Sequence, residues 1–327
     1  MVKLTYEQIG RIIENTIALQ SLEIKSSEKK ISQQDQAVFY TSIDAFVAIF
    51  KDYISQHKLH FFATNFRYSN DREEFLDGYN TLHKFLGGSN ARDKIKNITY
   101  SDAYILCFCD GDKNDLLSQW NRYGGKSGIS VKIDFEDMNY KFWKEKNSCG
   151  KKIDIECPPI CNYSPHKVLY DKEVMEEYLS VILNQQDDTK NAYLSALLPL
   201  CKNKSFSDEH ESRLLFWAVD DNEKGISTNV SYRVLRNIIV PYIEIELFKN
   251  HEMSSSIDKN FVREIVVGPG INQNEVFNAI IHMLETNAAN WSFYDDDSQL
   301  PIDDHGYKYH TTRDGIIIKK STIPYRG

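Results

Sequence analysis

A chain of 327 residues with 41% apolar and 26% charged side chains has the composition of an ordinary globular protein, long enough for one large core with additions. Its net charge of −8 excludes a broad nucleic-acid-binding face, which is built from clustered Lys and Arg, and leaves room only for a local basic pocket. No apolar run approaches the roughly 18 residues needed to span a bilayer. Glu7 and Glu14 stand where a secretory leader would be apolar, so a cytoplasmic protein with no membrane partner is expected.

Thr5 and Gln8 have the spacing of a capping box, and Ile9, Ile12, Ile13 and Ile17 then recur at helical intervals, which predicts an amphipathic helix. Its isoleucine stripe needs cover, and packing on the chain's own domain is expected rather than pairing with a second copy. The polar stretch from Ser26 to Asp35 reads as a linker. This gives an N-terminal helix and linker (1–36) and one main domain (37–327).

Val38 to Thr41 has the look of a short strand, and Ser42 is placed to cap a helix with Phe46, Ile49, Phe50 and Tyr53 on one face. A second strand covers Leu59 to Thr64 and ends in a polar loop, Asn65 to Asp71. Ile105 to Cys109 reads as a buried strand. Ile129, Val131, Ile133 and Phe135 alternate with Ser130, Lys132 and Asp134, as a half-exposed strand should. Helices follow at Lys172 to Asn184 and Thr189 to Leu200. Strands return at Arg213 to Val219, Ile238 to Leu247 and Val262 to Val267, the last broken by Gly268-Pro269-Gly270. Asn272 caps a helix through Leu284. A loop-like acidic stretch from Trp291 to His305 then precedes a final strand at Ile316 to Lys319. The fold class is α+β: a mixed, mainly antiparallel sheet with peripheral helices and the N-terminal helix.

Six cysteines are too few and too irregular for a disulfide scaffold. Cys149, Cys157, Cys161 and His166 include soft ligands, but their spacing lacks the paired knuckle of structural zinc sites, and no metal is expected. No Ser or Cys sits in a nucleophile elbow, which leaves a hydrolase triad unsupported.

Four segments place polar groups beside apolar strands: Phe39-Tyr40-Thr41-Ser42; Asn70-Asp71 with Glu74; Cys107-Phe108-Cys109 through Leu117-Ser118-Gln119-Trp120 and Tyr123 to Gly128; and Glu209-His210-Glu211-Ser212-Arg213. On a strand, Glu209, Glu211 and Arg213 share one face, so the arginine either holds a carboxylate ionised or contacts a pyrophosphate; a structural ladder of ion pairs fits the pattern equally. Trp120 and Tyr123, three apart on a helix, face the same way and suit either an aromatic sandwich or the core. Asn70 suits a turn, and Asp71 suits either a turn or a ribose contact. Gly268-Pro269-Gly270 lacks the fuller glycine pattern of a dinucleotide loop and reads as a strand-to-helix turn.

In this order the segments, with Ile265-Val266-Val267-Gly268-Pro269 and the closing Ser321-Thr322-Ile323-Pro324-Tyr325-Arg326, resemble an uncharacterised bacterial family known as domain of unknown function 2971, from about Ala37 onward. The pattern is also similar to that of ADP-ribosyltransferases, which present a His or Arg on a first strand, a hydroxyl residue later and a Glu on a late strand. That resemblance implies an ADP-ribosyltransferase-like fold and NAD as substrate. It places Glu211, with Glu209, as the catalytic carboxylates, and Tyr40, Thr41, Asp71, Ser118, Trp120, Tyr123 and Arg213 around the cofactor. A carboxylate there would stabilise the cationic ribose formed as the glycosidic bond breaks. Phe39 departs from the family, many members of which carry His at this place, and Phe donates no hydrogen bond. The expected role is a toxin or phage-defence effector modifying an acceptor macromolecule. The alternative is a non-catalytic module that binds a nucleotide or a protein partner.

Overall fold

A computed structural model describes residues 4–68, 72–87, 103–124, 127–136, 138–141, 144–145, 163–223, 225–235, 237–249, 260–285 and 300–324. In chain order the elements are α1 (Tyr6–Ala18), β1 (Gln36–Ser42), α2 (Ile43–Phe50), α3 (Tyr53–Gln56), β2 (Lys58–Asn65), α4 (Arg72–Phe85), β3 (Ala103–Asp110), β4 (Gly128–Asp134), β5 (Met138–Lys141) and β6 (Lys144–Glu145). Then come β7 (His166–Lys167), α5 (Lys172–Ile182), α6 (Asp187–Leu197), β8 (Glu211–Trp217), β9 (Asp220–Asp221), β10 (Ile226–Ser227), β11 (Val230–Leu235), β12 (Ile238–Lys249), β13 (Val262–Val267), α7 (Gln273–Glu285), β14 (Tyr309–Thr311) and β15 (Ile317–Lys320). The fold is mixed α and β with mainly antiparallel pairing. Two compact units share the chain: unit 1 is Met1–Gln33, Phe61–Cys107 and Met138–Leu247, and unit 2 is Gln34–His60, Phe108–Asp137 and Phe248–Gly327.

In unit 1 the strands run β11, β12, β2, β3, with β5 beside β12, β8 beside β3 and β7 beside β8. The helix α1 forms for the expected reasons. Thr5 Oγ1 accepts from the Gln8 amide at 3.2 Å, and the Gln8 side chain accepts from the Thr5 amide at 2.8 Å. Ile9, Ile12 and Ile13 are buried where the helix packs on α6, so the stripe is covered by its own chain. The stretch read as a linker is tied down. The Ser26 hydroxyl donates to Glu177 at 2.8 Å, the Ile31 amide donates to the Tyr178 hydroxyl at 3.0 Å, and Ile31 is buried. Its polar composition conceals one apolar anchor.

In unit 2 the outer end of β3 pairs with β1, followed by β4, β13, β15 and β14. Only β13 and β15 in this row run parallel, and α7 lies in the connection between them, as a parallel crossover requires. Strand β4 differs from its alternating pattern. Flanked by β1 and β13, it buries Ser130 and Asp134 as well as its isoleucines. Each polar group is satisfied: Ser130 donates to the Asn114 carbonyl at 2.6 Å, and Asp134 accepts from Arg263 at 2.7 Å.

Candidate functional site

The strand β8 is buried along its whole length, yet it carries Glu211 and Arg213 on one face. Arg213 Nε donates to Glu211 Oε1 at 2.8 Å and its Nη2 to Oε2 at 3.2 Å, while Nη1 reaches the Pro199 carbonyl. Glu209 is not on the strand. It ends the 3-10 turn Lys204–Glu209, and His210 follows in the left-handed region at φ 48°. That reversal lets both carboxylates meet one cation: Lys202 Nζ lies 2.6 Å from Glu209 and 2.7 Å from Glu211. The Glu211 amide donates to the Tyr170 hydroxyl at 3.0 Å. Burial opposes the charge on Lys202, but the charge and hydrogen bond of Glu211 outweigh it and hold the ammonium above the ordinary lysine value. Burial pulls the Arg213 guanidinium down to about 9, which leaves it protonated at neutral pH. The cluster balances two cations against two carboxylates, all nearly out of water.

Lys202 also faces a cleft of about 520 Å³ within unit 1, inside the roughly 300–1,000 Å³ range usual for small-molecule sites. Lys29, Lys172, Lys204, Tyr170, Asn203 and Thr81 line it with Lys202, together with Asp171 and Glu173 at the start of α5. Asp171 caps that helix and is held by Lys29 at 2.7 Å. Lys172 leans on Glu176 at 3.7 Å. Lys204 is exposed and has no ion-pair partner among the described residues. Cys201 lines the floor, and burial pushes its thiol up, so it is an inert wall rather than a nucleophile.

The remaining predicted residues belong to unit 2, apart from Asp71, which lies outside the described residues, as do Asn70, Cys149, Cys157 and Cys161. Tyr40 is placed by β1 with its ring edge-on to Trp120, 4.7 Å between centroids. Its hydroxyl donates to the Lys113 carbonyl at 2.6 Å and accepts from the Leu116 amide at 2.9 Å. Burial raises its pKa, so it stays a neutral clamp on the loop. Trp120 is buried and donates to Asp115 at 2.7 Å, an acid that also accepts from Ser321 at 2.7 Å and Tyr307 at 3.1 Å.

The indole lies in a cradle of glycines. A Cβ on Gly268 would come within 2.8 Å of its ring, and one on Gly128 within 3.1 Å. Tyr123, by contrast, is exposed. Trp120–Gly124 is a π-type turn, whose i to i+5 bonding winds more slowly than an α-helix and turns residues three apart away from each other. Thr41 is buried on β1, and Ser118 is exposed at the helical turn Leu117–Gln119. Phe39 is a core residue, edge-on to Phe108 at 6.4 Å.

The sequence singles out Glu209, Glu211 and Arg213, which the structure brings together, but not Lys202, which sits in a loop without a motif, nor the cleft that it lines. The glycines at 124, 128 and 268 were a readable signal for a flat ring, though only once their common neighbour was known. Of the residues that the transferase pattern assigns, Glu209, Glu211 and Arg213 lie in unit 1, where Lys202 joins them, and Tyr40, Thr41, Ser118, Trp120 and Tyr123 lie in unit 2.

No curated protein and no solved structure matches the chain. Residues 119–214, which carry the Trp120 turn and the Glu209 to Arg213 segment, match the model of a family described as a protein of unknown function, DUF2971.

Proposed function

We propose that unit 1 binds a phosphate-bearing nucleotide in the cleft above Lys202. The observation that carries this reading is the position of Lys202, which lines the cleft and at the same time holds both buried carboxylates. A phosphate entering the cleft meets Lys204, which pairs with no charge among the described residues, and draws on Lys29 and Lys172. Their present pairs are largely exposed, and such pairs hold weakly. Tyr170, Asn203 and Thr81 supply neutral hydrogen-bonding groups for a sugar or base.

A second reading, transfer of ADP-ribose from NAD to an acceptor, draws on Glu211. Its side chain pairs with Lys202 and Arg213, and a carboxylate at such a place is what stabilises a ribosyl cation. The role of an effector in bacterial conflict belongs to this second reading.

Calorimetric titration with NAD, ADP-ribose and ATP separates the two. Lys204→Glu is expected to weaken binding by about tenfold or more, roughly 1.4 kcal/mol, at unchanged stability. Failure of all three to bind at millimolar concentration overturns the nucleotide reading. Release of labelled nicotinamide that Glu211→Gln abolishes supports transfer. Binding without turnover leaves the protein a nucleotide-binding module.

A further inference from the structure

The paired stretch of the hairpin β11–β12, from Val230 to Ile243, lies in unit 1 and pairs Tyr232 with Pro241, Val234 with Ile239, and Val230 with Ile243. Directly opposed residues share a face, so Tyr232, Val234 and Ile239 continue the face on which Ile243, Ile245 and Leu247 are buried. There the cover ends. Tyr232 is 64% exposed, Val234 75% and Ile239 66%. Among the described residues, strand β11 has one strand neighbour, β12, and none of them pairs with its other edge. Proteins guard such edges with Lys or Pro, or with an inward-pointing charge that an added strand would bury. The sequence Val230-Ser231-Tyr232-Arg233-Val234-Leu235 has no Lys or Pro, and its one inward charge is already engaged within its own sheet. Arg233 donates to the Thr64 hydroxyl on β2 at 2.7 Å and lies over the Tyr242 ring at 5.4 Å.

We propose that this edge is a homodimer interface, in which β11 of one copy pairs antiparallel with β11 of a second across a two-fold axis at Tyr232. The strand is complementary to itself in that register. Tyr232 faces Tyr232 of the other copy, Val230 faces Val234, and Ser231 faces Arg233, so no charge meets its like and aromatic and branched pairs fall on one face. A shift by one residue would set apolar side chains against polar ones, which fixes the register. The apolar face that each hairpin leaves bare becomes continuous across the axis. This inference does not depend on the nucleotide reading.

Sedimentation equilibrium on the full chain tests it. The expected mass is that of a dimer at micromolar concentration. Val234→Lys, at a site too exposed to disturb the fold, is expected to weaken association at least about tenfold with an unchanged melting temperature. Tyr232→Cys is expected to form an interchain disulfide on mild oxidation, because that residue alone meets its own copy, while Ser231→Cys and the parent chain do not. A monomer at about 100 µM overturns the proposal and leaves the edge to a strand from another protein. A dimer indifferent to Val234→Lys, or crosslinked as readily at 231 as at 232, overturns it equally.

Discussion

His166 is fully buried on β7 beside Tyr163, and among the described residues neither ring nitrogen finds a hydrogen-bond partner of normal geometry. Burial pulls its pKa down to about 4, opposed only weakly by the Ser164 backbone. The folded state therefore holds it neutral while the unfolded chain takes up a proton below about 6.5. The stability that goes with the neutral ring is complete above pH 6.5 and is lost as pH falls toward 4, about 3 kcal/mol in all. Urea unfolding of the parent chain and of His166→Phe at pH 7.5 and 4.5 checks this. The variant should lose distinctly less stability on acidification, and parallel losses would mean that other groups govern it. At the same scale the sequence was partly legible. Glu211 and Arg213 follow the two-residue period of a strand, so their shared face was readable. Glu209 reaches the cluster by another route, because a non-glycine residue at φ 48° leaves no mark in the sequence. Lys202 was invisible, since a lysine in a polar loop looks solvated until its partners are located.

The elements were more legible than the residues, since periodicity reports burial directly. Strands β1, β2, β3, β12 and β13 and helices α1, α5 and α7 lie within a few residues of where alternation and caps put them. Strand β11 went unread because its exposed apolar residues alternate with half-buried ones and so mark no buried face. Helix α4 was also missed, although Phe75, Leu76, Tyr79 and Leu82 recur at helical spacing. Helix α1 gives the clearest energetic prediction. Ile13 is 4% exposed on the face toward α6, and Ile13→Ala should cost about 2–5 kcal/mol, read as a lowered midpoint in chemical denaturation. A cost below about 1 kcal/mol would mean that the helix is an ornament of the fold rather than part of it.

Across the whole molecule, each unit is assembled from three separated stretches of chain, and the division falls inside β2, β3 and β12. Loss of either unit would strip residues from strands that the other needs, so unfolding is expected to be one transition. Trp217 is buried in unit 1 and Trp120 in unit 2. Variants that keep only one of these indoles should report superimposable denaturation curves, and separated midpoints would show that the units melt independently. The same interleaving sets a schedule for synthesis. Helix α1 leaves the ribosome about 170 residues ahead of α6, the helix that covers it. At roughly 5–20 residues per second, the nascent chain trails a bare isoleucine stripe for about 10–30 s. Its first helix is thus a natural client for a chaperone at the exit tunnel, in a protein whose finished form hides every trace of that need.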